Sequence, residues 1–217
     1  MRFTNICFDL DGTLTDPKVG ITKSVQYALR DLEFEVENLD QLEPFIGPPL
    51  AESFQQFYGL SDEEIQRAIA SYRVYFKERG MLENEIYPGI RELLLELKER
   101  GCQLYVATSK PTVFAVPILK HFQIDDMFQL IAGSELDGTR SAKAEVIQYV
   151  LDAYEDIDPA TVVMIGDRKH DLIGAQHTGV ASIGVGYGYG SEEELRAAHP
   201  TYYAETVQEL RNLLLGL

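Results

Sequence analysis

The sequence predicts an α/β protein: a three-layer, doubly wound core with a parallel sheet, interrupted by an all-helical insert. Three observations predict it. From residue 88 onward short apolar runs alternate with helical periodicities, an order that pairs strands in parallel through right-handed crossovers. Several of these runs stop at polar residues, which fits a sheet that presents the carboxyl ends of its strands to a ligand. Between the first run and the others, residues 17–84 contain no convincing strand. The core is therefore expected to comprise residues 1–16 and 85–217, and the helical insert residues 17–84.

The first strand is Ile6 to Phe8, an apolar run suited to burial on both faces, and it ends at Asp9, Asp11 and Gly12. Side chains alternate along an extended segment, so Asp9 and Asp11 can point to one side while Leu10 turns back into the core. Two carboxylates this close repel each other unless something positive lies beside or between them. The pair asks for a cation or a shared proton, and magnesium held by oxygen ligands is the natural candidate.

In the insert, Pro17 to Phe34 carries a 3.6-residue stripe of Ile21, Val25, Ala28, Leu29 and Leu32. Pro44, Gly47, Pro48 and Pro49 break the pattern over residues 38–49, and Leu50, Phe54, Phe57 and Tyr58 resume it. Ser61-Asp62-Glu63-Glu64 has the form of a capping box and opens a helix that is expected to end at Gly80.

Beyond Pro88 the expected elements follow in order. Gly89 to Arg100 is a helix stopped by Gly101, and Gln103 to Ala107 a strand closed by Thr108-Ser109-Lys110. The next helix opens at Pro111, with Pro117 implying a kink or a late start. Phe128 to Ala132, Val162 to Ile165 and Ala181 to Val185 read as strands; Ser141 to Tyr154 and Leu172 to Thr178 read as helices. After the loop Gly186 to Gly190, two closing helices, Ser191 to Ala198 and Thr206 to Leu215, each open on a Ser/Thr-x-x-Glu cap.

Composition narrows the function classes. The formal charge of −16 repels nucleic-acid backbones and anionic membranes, so no polymer partner and no membrane partner are expected. No segment approaches the apolar length that spans a bilayer, and Asn5 and Asp9 interrupt the first strand too early for a secretory signal, which gives the expectation of a cytoplasmic protein. Cys7 and Cys102 adjoin buried strands and read as small core residues. His121, His170, His177 and His199 show no ligand spacing. Gly133 to Thr139 lacks the Gly-Lys-Ser/Thr ending of a phosphate-binding loop, and the Gly184 to Gly188 run lacks the last glycine of a dinucleotide fingerprint.

Taken singly, Thr108 and Ser109 could merely cap a helix, and Lys143 could be a solvated lysine. Taken together they form a pattern. Asp9-Leu10-Asp11-Gly12-Thr13-Leu14-Thr15 resembles the first motif of the haloacid dehalogenase-like hydrolases, a superfamily dominated by magnesium-dependent phosphatases. Thr108 resembles its second motif, Lys143 its third, with Arg140 close by as a competitor, and Gly166-Asp167-x-x-x-Asp171 its fourth. The resemblance covers nearly the whole chain. It is strongest to phosphoglycolate phosphatase-like members, whose Rossmann-like core carries a helical (C1-type) cap between motifs one and two. Ile46-Gly47-Pro48-Pro49-Leu50 is similar to their cap loop, and Gly186 to Gly190 to the loop after their last motif.

The resemblance implies roles that physical chemistry supports. Asp9 would attack phosphorus to give an aspartyl-phosphate, and Asp11 would protonate the leaving alcohol and then take a proton from water. Thr108, Ser109 and Lys143 would bind phosphoryl oxygens. Asp9, the Asp11 main-chain carbonyl and Asp167 would hold Mg2+, with Asp171 orienting Lys143 or a metal-bound water. Relatives that cleave carbon–halogen bonds lack the second acid, so Asp11 favours phosphoryl chemistry.

The expected activity is hydrolysis of a small phosphate ester, phosphoglycolate first and a nucleoside 5'-monophosphate next, by a monomer or a homodimer whose insert closes over the site. Phe45, Phe54, Phe57 and Tyr58 could stack on a base or simply form core. Lys18, Arg73 and Lys77 are possible contacts to a substrate anion. A phosphotransferase or mutase of the same superfamily shares the first step. From another class, a non-catalytic binding protein could keep the fold.

Overall fold

A computed structural model describes residues 3–154 and 157–216. The chain divides into two compact units, Met1–Asp16 with Ile86–Leu217, and Pro17–Glu85. The expected fold class is confirmed. The larger unit is built on a six-stranded parallel sheet of β1 (Asn5–Phe8), β4 (Gln103–Pro111), β5 (Leu130–Ser134), β6 (Val162–Gly166), β7 (Ala181–Val185) and β8 (Tyr202–Ala204). Their order across the sheet is β5-β4-β1-β6-β7-β8. Two further strands of two residues each, β2 (Thr15–Asp16) and β3 (Glu85–Ile86), lie where the chain leaves and re-enters this unit. There the Tyr87 N–H donates to the Leu14 carbonyl at 3.1 Å.

β1 sits in the middle of the sheet. Ile6, Cys7 and Phe8 have no solvent exposure, as the unbroken apolar run requires of a strand covered on both faces. Its neighbours β4 and β6 pair in register, Phe8 lying between Val106 and Ile165, so all three strands reach the same edge together. The helices α4 (Ile90–Glu99), α5 (Thr112–His121), α6 (Lys143–Asp152), α7 (Lys169–Thr178) and α8 (Glu192–Ala197) lie between successive strands, and α9 (Val207–Leu215) follows β8. Val146, Ile147 and Val150 of α6 and Ala175 of α7 pack with Cys7, Tyr105, Ala132 and Met164. The caps of α8 and α9 form as expected, Ser191 Oγ accepting from Glu194 N and Thr206 Oγ1 from Glu209 N, each at 3.1 Å.

The structure corrects several boundaries. β4 runs on through Pro111 with a register irregularity after Ala107, where a strand ending at Ala107 was expected. α5 continues through Pro117 without a late start. β8 was not foreseen; it has three residues, and only Ala204 is fully buried, too little pattern for alternation to register.

In the smaller unit, α1 (Lys18–Asp31), α2 (Leu50–Tyr58) and α3 (Asp62–Tyr75) are joined by a 3-10 turn at Leu39–Phe45 and followed by a π-helical turn at Phe76–Gly80. The capping box of α3 forms, Ser61 Oγ accepting from Glu64 N and Glu64 Oε2 accepting from Ser61 N. A Cβ on Gly20 would lie 1.9 Å from the Gly80 carbonyl oxygen, so helix and turn meet backbone to backbone. Phe45 and Phe54 are core residues at 2% and 0% exposure, whereas Phe57 is 45% exposed. Lys18 is engaged by Asp40, at 2.8 Å, and by Glu43; Arg73 is half-buried and Lys77 exposed.

Both cysteines are buried, and burial pushes the Cys7 thiol up to about 12. A thiol in that state carries no thiolate at neutral pH. Cys7 is therefore expected to resist iodoacetamide in the folded protein and to react fully after denaturation, as peptide mass spectrometry would show.

Candidate active site

The site grows out of the ends of β1, β4 and β6. Asp9 follows β1 directly, and its N–H donates to the Ile165 carbonyl at 2.9 Å, so it is held as if the strand continued. The chain then turns: Leu10 accepts from Leu14 N at 2.9 Å and Gly12 N donates to Thr15 O at 2.8 Å. Gly12 adopts φ +82, and a Cβ there would lie 2.1 Å from Asp167 Oδ2. Gly12→Ala thus combines backbone strain with a collision. It is expected to cost at least about 1–3 kcal/mol in a urea melt.

Asp167, at the end of β6, is wholly buried. Its Oδ2 accepts from Tyr189 N at 2.7 Å, and Thr13 Oγ1 reaches its Oδ1 at 3.5 Å. The glycine-tyrosine loop is shaped around it. A Cβ on Gly188 would lie 2.3 Å from Asp167 Cβ, and one on Gly190 1.9 Å from the Asp167 carbonyl oxygen. Tyr187 Oη donates to Thr13 O at 3.0 Å and Tyr189 Oη donates to Asp16, tying this loop to the turn after β1.

Asp171 stands in the first turn of α7, its Oδ2 accepting from Arg168 N at 3.1 Å. Lys143 opens α6 and runs back to the sheet edge. Its Nζ lies 2.9 Å from Asp9 Oδ1, 2.8 Å from Asp171 Oδ1 and 3.0 Å from the Ala107 carbonyl oxygen. Lys143 thus donates a hydrogen bond to the Ala107 carbonyl and pairs by charge with the Asp9 and Asp171 carboxylates. Arg140 does not share that place: it adopts φ +57, its Nη2 meets Glu135, and its guanidinium lies 4.0 Å above the Tyr149 ring.

Thr108 is 2% exposed at the end of the regular part of β4, and its Oγ1 accepts from Lys110 N at 3.2 Å. Ser109 is half-buried, and its carbonyl accepts from Ser134 Oγ at 2.8 Å. Sequence reasoning passed over Lys110. Its Nζ lies 2.6 Å from Asp11 Oδ2, and both side chains are nearly buried. The only signal was a lysine two residues past Thr108 at a strand end, and a continuing strand would have given no reason to turn it inward.

Carboxylate oxygens of Asp9, Asp167 and Asp171 lie within 4.8 Å of one another, and among the described residues no histidine joins them. Asp11 places its side chain with Lys110 instead. Burial and repulsion by Asp171 and Asp9 hold the Asp167 carboxyl well above the usual range. Burial pushes Asp171 up to about 6, against the pull of Lys143. Burial also raises Asp11, with Lys110 opposing. For Lys143, burial works against the charged form, yet Asp171 and Asp9 raise it. Four carboxyl groups are buried here with two ammonium groups, and their mutual repulsion and all-oxygen donor set fit one hard divalent cation.

The edge of this doubly wound sheet gathers carboxylates that follow β1 and β6 and stand in the first turn of α7, where such sheets place their ligands. The chain belongs to the haloacid dehalogenase-like hydrolases, whose family model matches residues 6–185. Within them it is a phosphatase-type enzyme. It is 53% identical to a 5'-nucleotidase of Pseudomonas aeruginosa over 99% of this chain and 96% of that protein. It is 38% identical to the tyrosine-protein kinase PtkA of Mycobacterium tuberculosis over 96% of this chain and 72% of the relative. A phosphoglycolate phosphatase of Vibrio vulnificus matches at 28% identity over 97% and 95% of the two chains. Among solved structures, a predicted phosphatase from Clostridium acetobutylicum superposes with a TM-score of 0.96 at 47% identity, each chain covered completely. Among the described residues no helix is long and apolar enough to cross a membrane.

Proposed function

We propose that the protein is a magnesium-dependent phosphomonoesterase that hydrolyses nucleoside 5'-monophosphates through an aspartyl-phosphate. The observation that carries the substrate class is the 53% identity, over nearly both full lengths, to a protein named 5'-nucleotidase; the phosphoglycolate reading rests on a relative at 28%.

Asp9, Asp167 and Asp171 offer the converging carboxylates, and Asp9, Asp167 and the Asp11 main-chain carbonyl are the proposed holders of Mg2+. Bound there, the ion supplies neutralising charge for the incoming phosphate. Lys143 fixes the Asp9 carboxylate and neutralises part of its environment. A free oxygen of Asp9 attacks phosphorus, an Asp9 oxygen–phosphorus bond forms, and the phosphorus–ester oxygen bond breaks. Asp11 gives its proton to the departing alkoxide. Water then attacks the same phosphorus, its proton passes to Asp11, and the bond to Asp9 breaks to release phosphate. Thr108 and Ser109 donate to phosphoryl oxygens, and Asp171 keeps Lys143 in place.

A metabolite panel tests this reading. Nucleoside 5'-monophosphates should release phosphate faster than phosphoglycolate, and EDTA should abolish release until Mg2+ is restored. Equal or greater activity on phosphoglycolate would overturn the substrate assignment, and activity indifferent to EDTA the metal assignment. Label passing from ATP to a tyrosine peptide rather than to water would instead make the protein a phosphotransferase.

A further inference from the structure

Lys110 has no task in the reaction as proposed, yet it is built into the site. The irregular end of β4 carries it past Thr108, whose hydroxyl accepts from its N–H at 3.2 Å. On the other side, the backbone of β5 closes against it: a Cβ on Gly133 would lie 2.2 Å from the Lys110 carbonyl oxygen. With its backbone held at both points, the side chain enters at 6% exposure and brings Nζ to 2.6 Å from Asp11 Oδ2. Lys143 is placed elsewhere, its Nζ between Asp9, Asp171 and the Ala107 carbonyl.

The two oxygens of Asp11 are thereby made unequal. Oδ2 faces an ammonium. Oδ1 is buried, and among the described residues no donor reaches it. A buried acceptor left without a donor is unfavourable, and at a functional site it is open to a donor that arrives with the ligand. An ammonium donates only, so a carboxyl facing one cannot carry its proton on the oxygen that faces it.

We propose that Lys110 is a positioning residue that selects the working oxygen of Asp11: by occupying Oδ2 it leaves Oδ1 to hand the proton to the leaving alkoxide and to receive one from water. The inference rests on the reading of Asp11 as acid and base. It names a division of labour between the two lysines, Lys143 fixing the nucleophile and Lys110 the proton carrier.

The test compares two esters that differ in their need for a proton. A nucleoside 5'-monophosphate expels an alkoxide that must be protonated, whereas p-nitrophenyl phosphate expels a phenolate that need not be. The parent protein, Lys110→Met and Asp11→Asn are assayed with Mg2+ on both, reading kcat/KM, which ends at the first irreversible step and so reports transfer to Asp9. Lys110→Met is expected to lose about 10²-fold on the nucleotide and less than about 3-fold on the aryl ester, in line with the usual contribution of a placed general acid. Equal losses on both esters would make Lys110 merely structural and overturn the inference. Asp11→Asn separates the two levels: if it too lowers both esters alike, the acid role itself falls, and if it is selective while Lys110→Met is not, only the role of Lys110 falls. Lys110→Gln, whose shorter uncharged side chain also gives up the ammonium contact, is read by the same ratio should the methionine variant not fold.

Discussion

Asp9→Asn is expected to reduce turnover of every phosphate ester on the order of 10⁴-fold or more, with the thermal melt close to that of the parent. The substitution is nearly isosteric, and the Asp9 N–H still reaches the Ile165 carbonyl, so the turn after β1 has no reason to move. What disappears is the nucleophile. The parent, quenched during turnover, should carry a phosphoryl group that hydroxylamine removes, and the variant should carry none. A variant that kept a tenth of the parent rate would mean that water attacks the ester directly and that Asp9 only helps to bind it.

The second large effect concerns Lys143. Replacing it by Met removes the one ammonium shared by Asp9, Asp171 and the Ala107 carbonyl, in a place where its own side chain is 3% exposed. Breaking a buried pair strands the partner charges, which typically costs about 3–5 kcal/mol. For a domain of this size that corresponds to a melting temperature lower by roughly 6–20 °C. Activity should fall at least about 10²-fold as well, because the electrostatic surroundings of the nucleophile are lost. Arg140→Met is the control. Its guanidinium lies over Tyr149 and pairs with Glu135, so the rate should stay near that of the parent. A rate collapse in the arginine variant with an active lysine variant would reverse the assignment.

The strand-end acids were legible because an unbroken apolar run has a sharp limit. Phe8 to Asp9 and Gly166 to Asp167 are such limits, and both lie at the sheet edge in the structure. The choice between Arg140 and Lys143 was not legible. Three residues apart near a helix start, either could face the site until a positive φ at Arg140 sends it to Glu135. Lys110 was hidden for another reason. Its direction depends on the irregularity after Ala107, and alternation along a regular strand says nothing about a residue beyond a register shift. The placing of Lys143 is likewise invisible in one dimension, because its neighbours Asp9, Ala107 and Asp171 come from the residue after β1, from β4 and from α7.

The hydrogen bond from Tyr87 to Leu14 has a bearing on how such a chain can be altered. It fastens the point of departure to the point of return within the larger unit, so the segments Met1–Asp16 and Ile86–Leu217 are joined there without help from residues 17–85. A different module, or a short bridging turn, could be spliced between these ends while the acids and both lysines keep their mounting. A lineage, or a protein engineer, could therefore exchange one part without retooling the other.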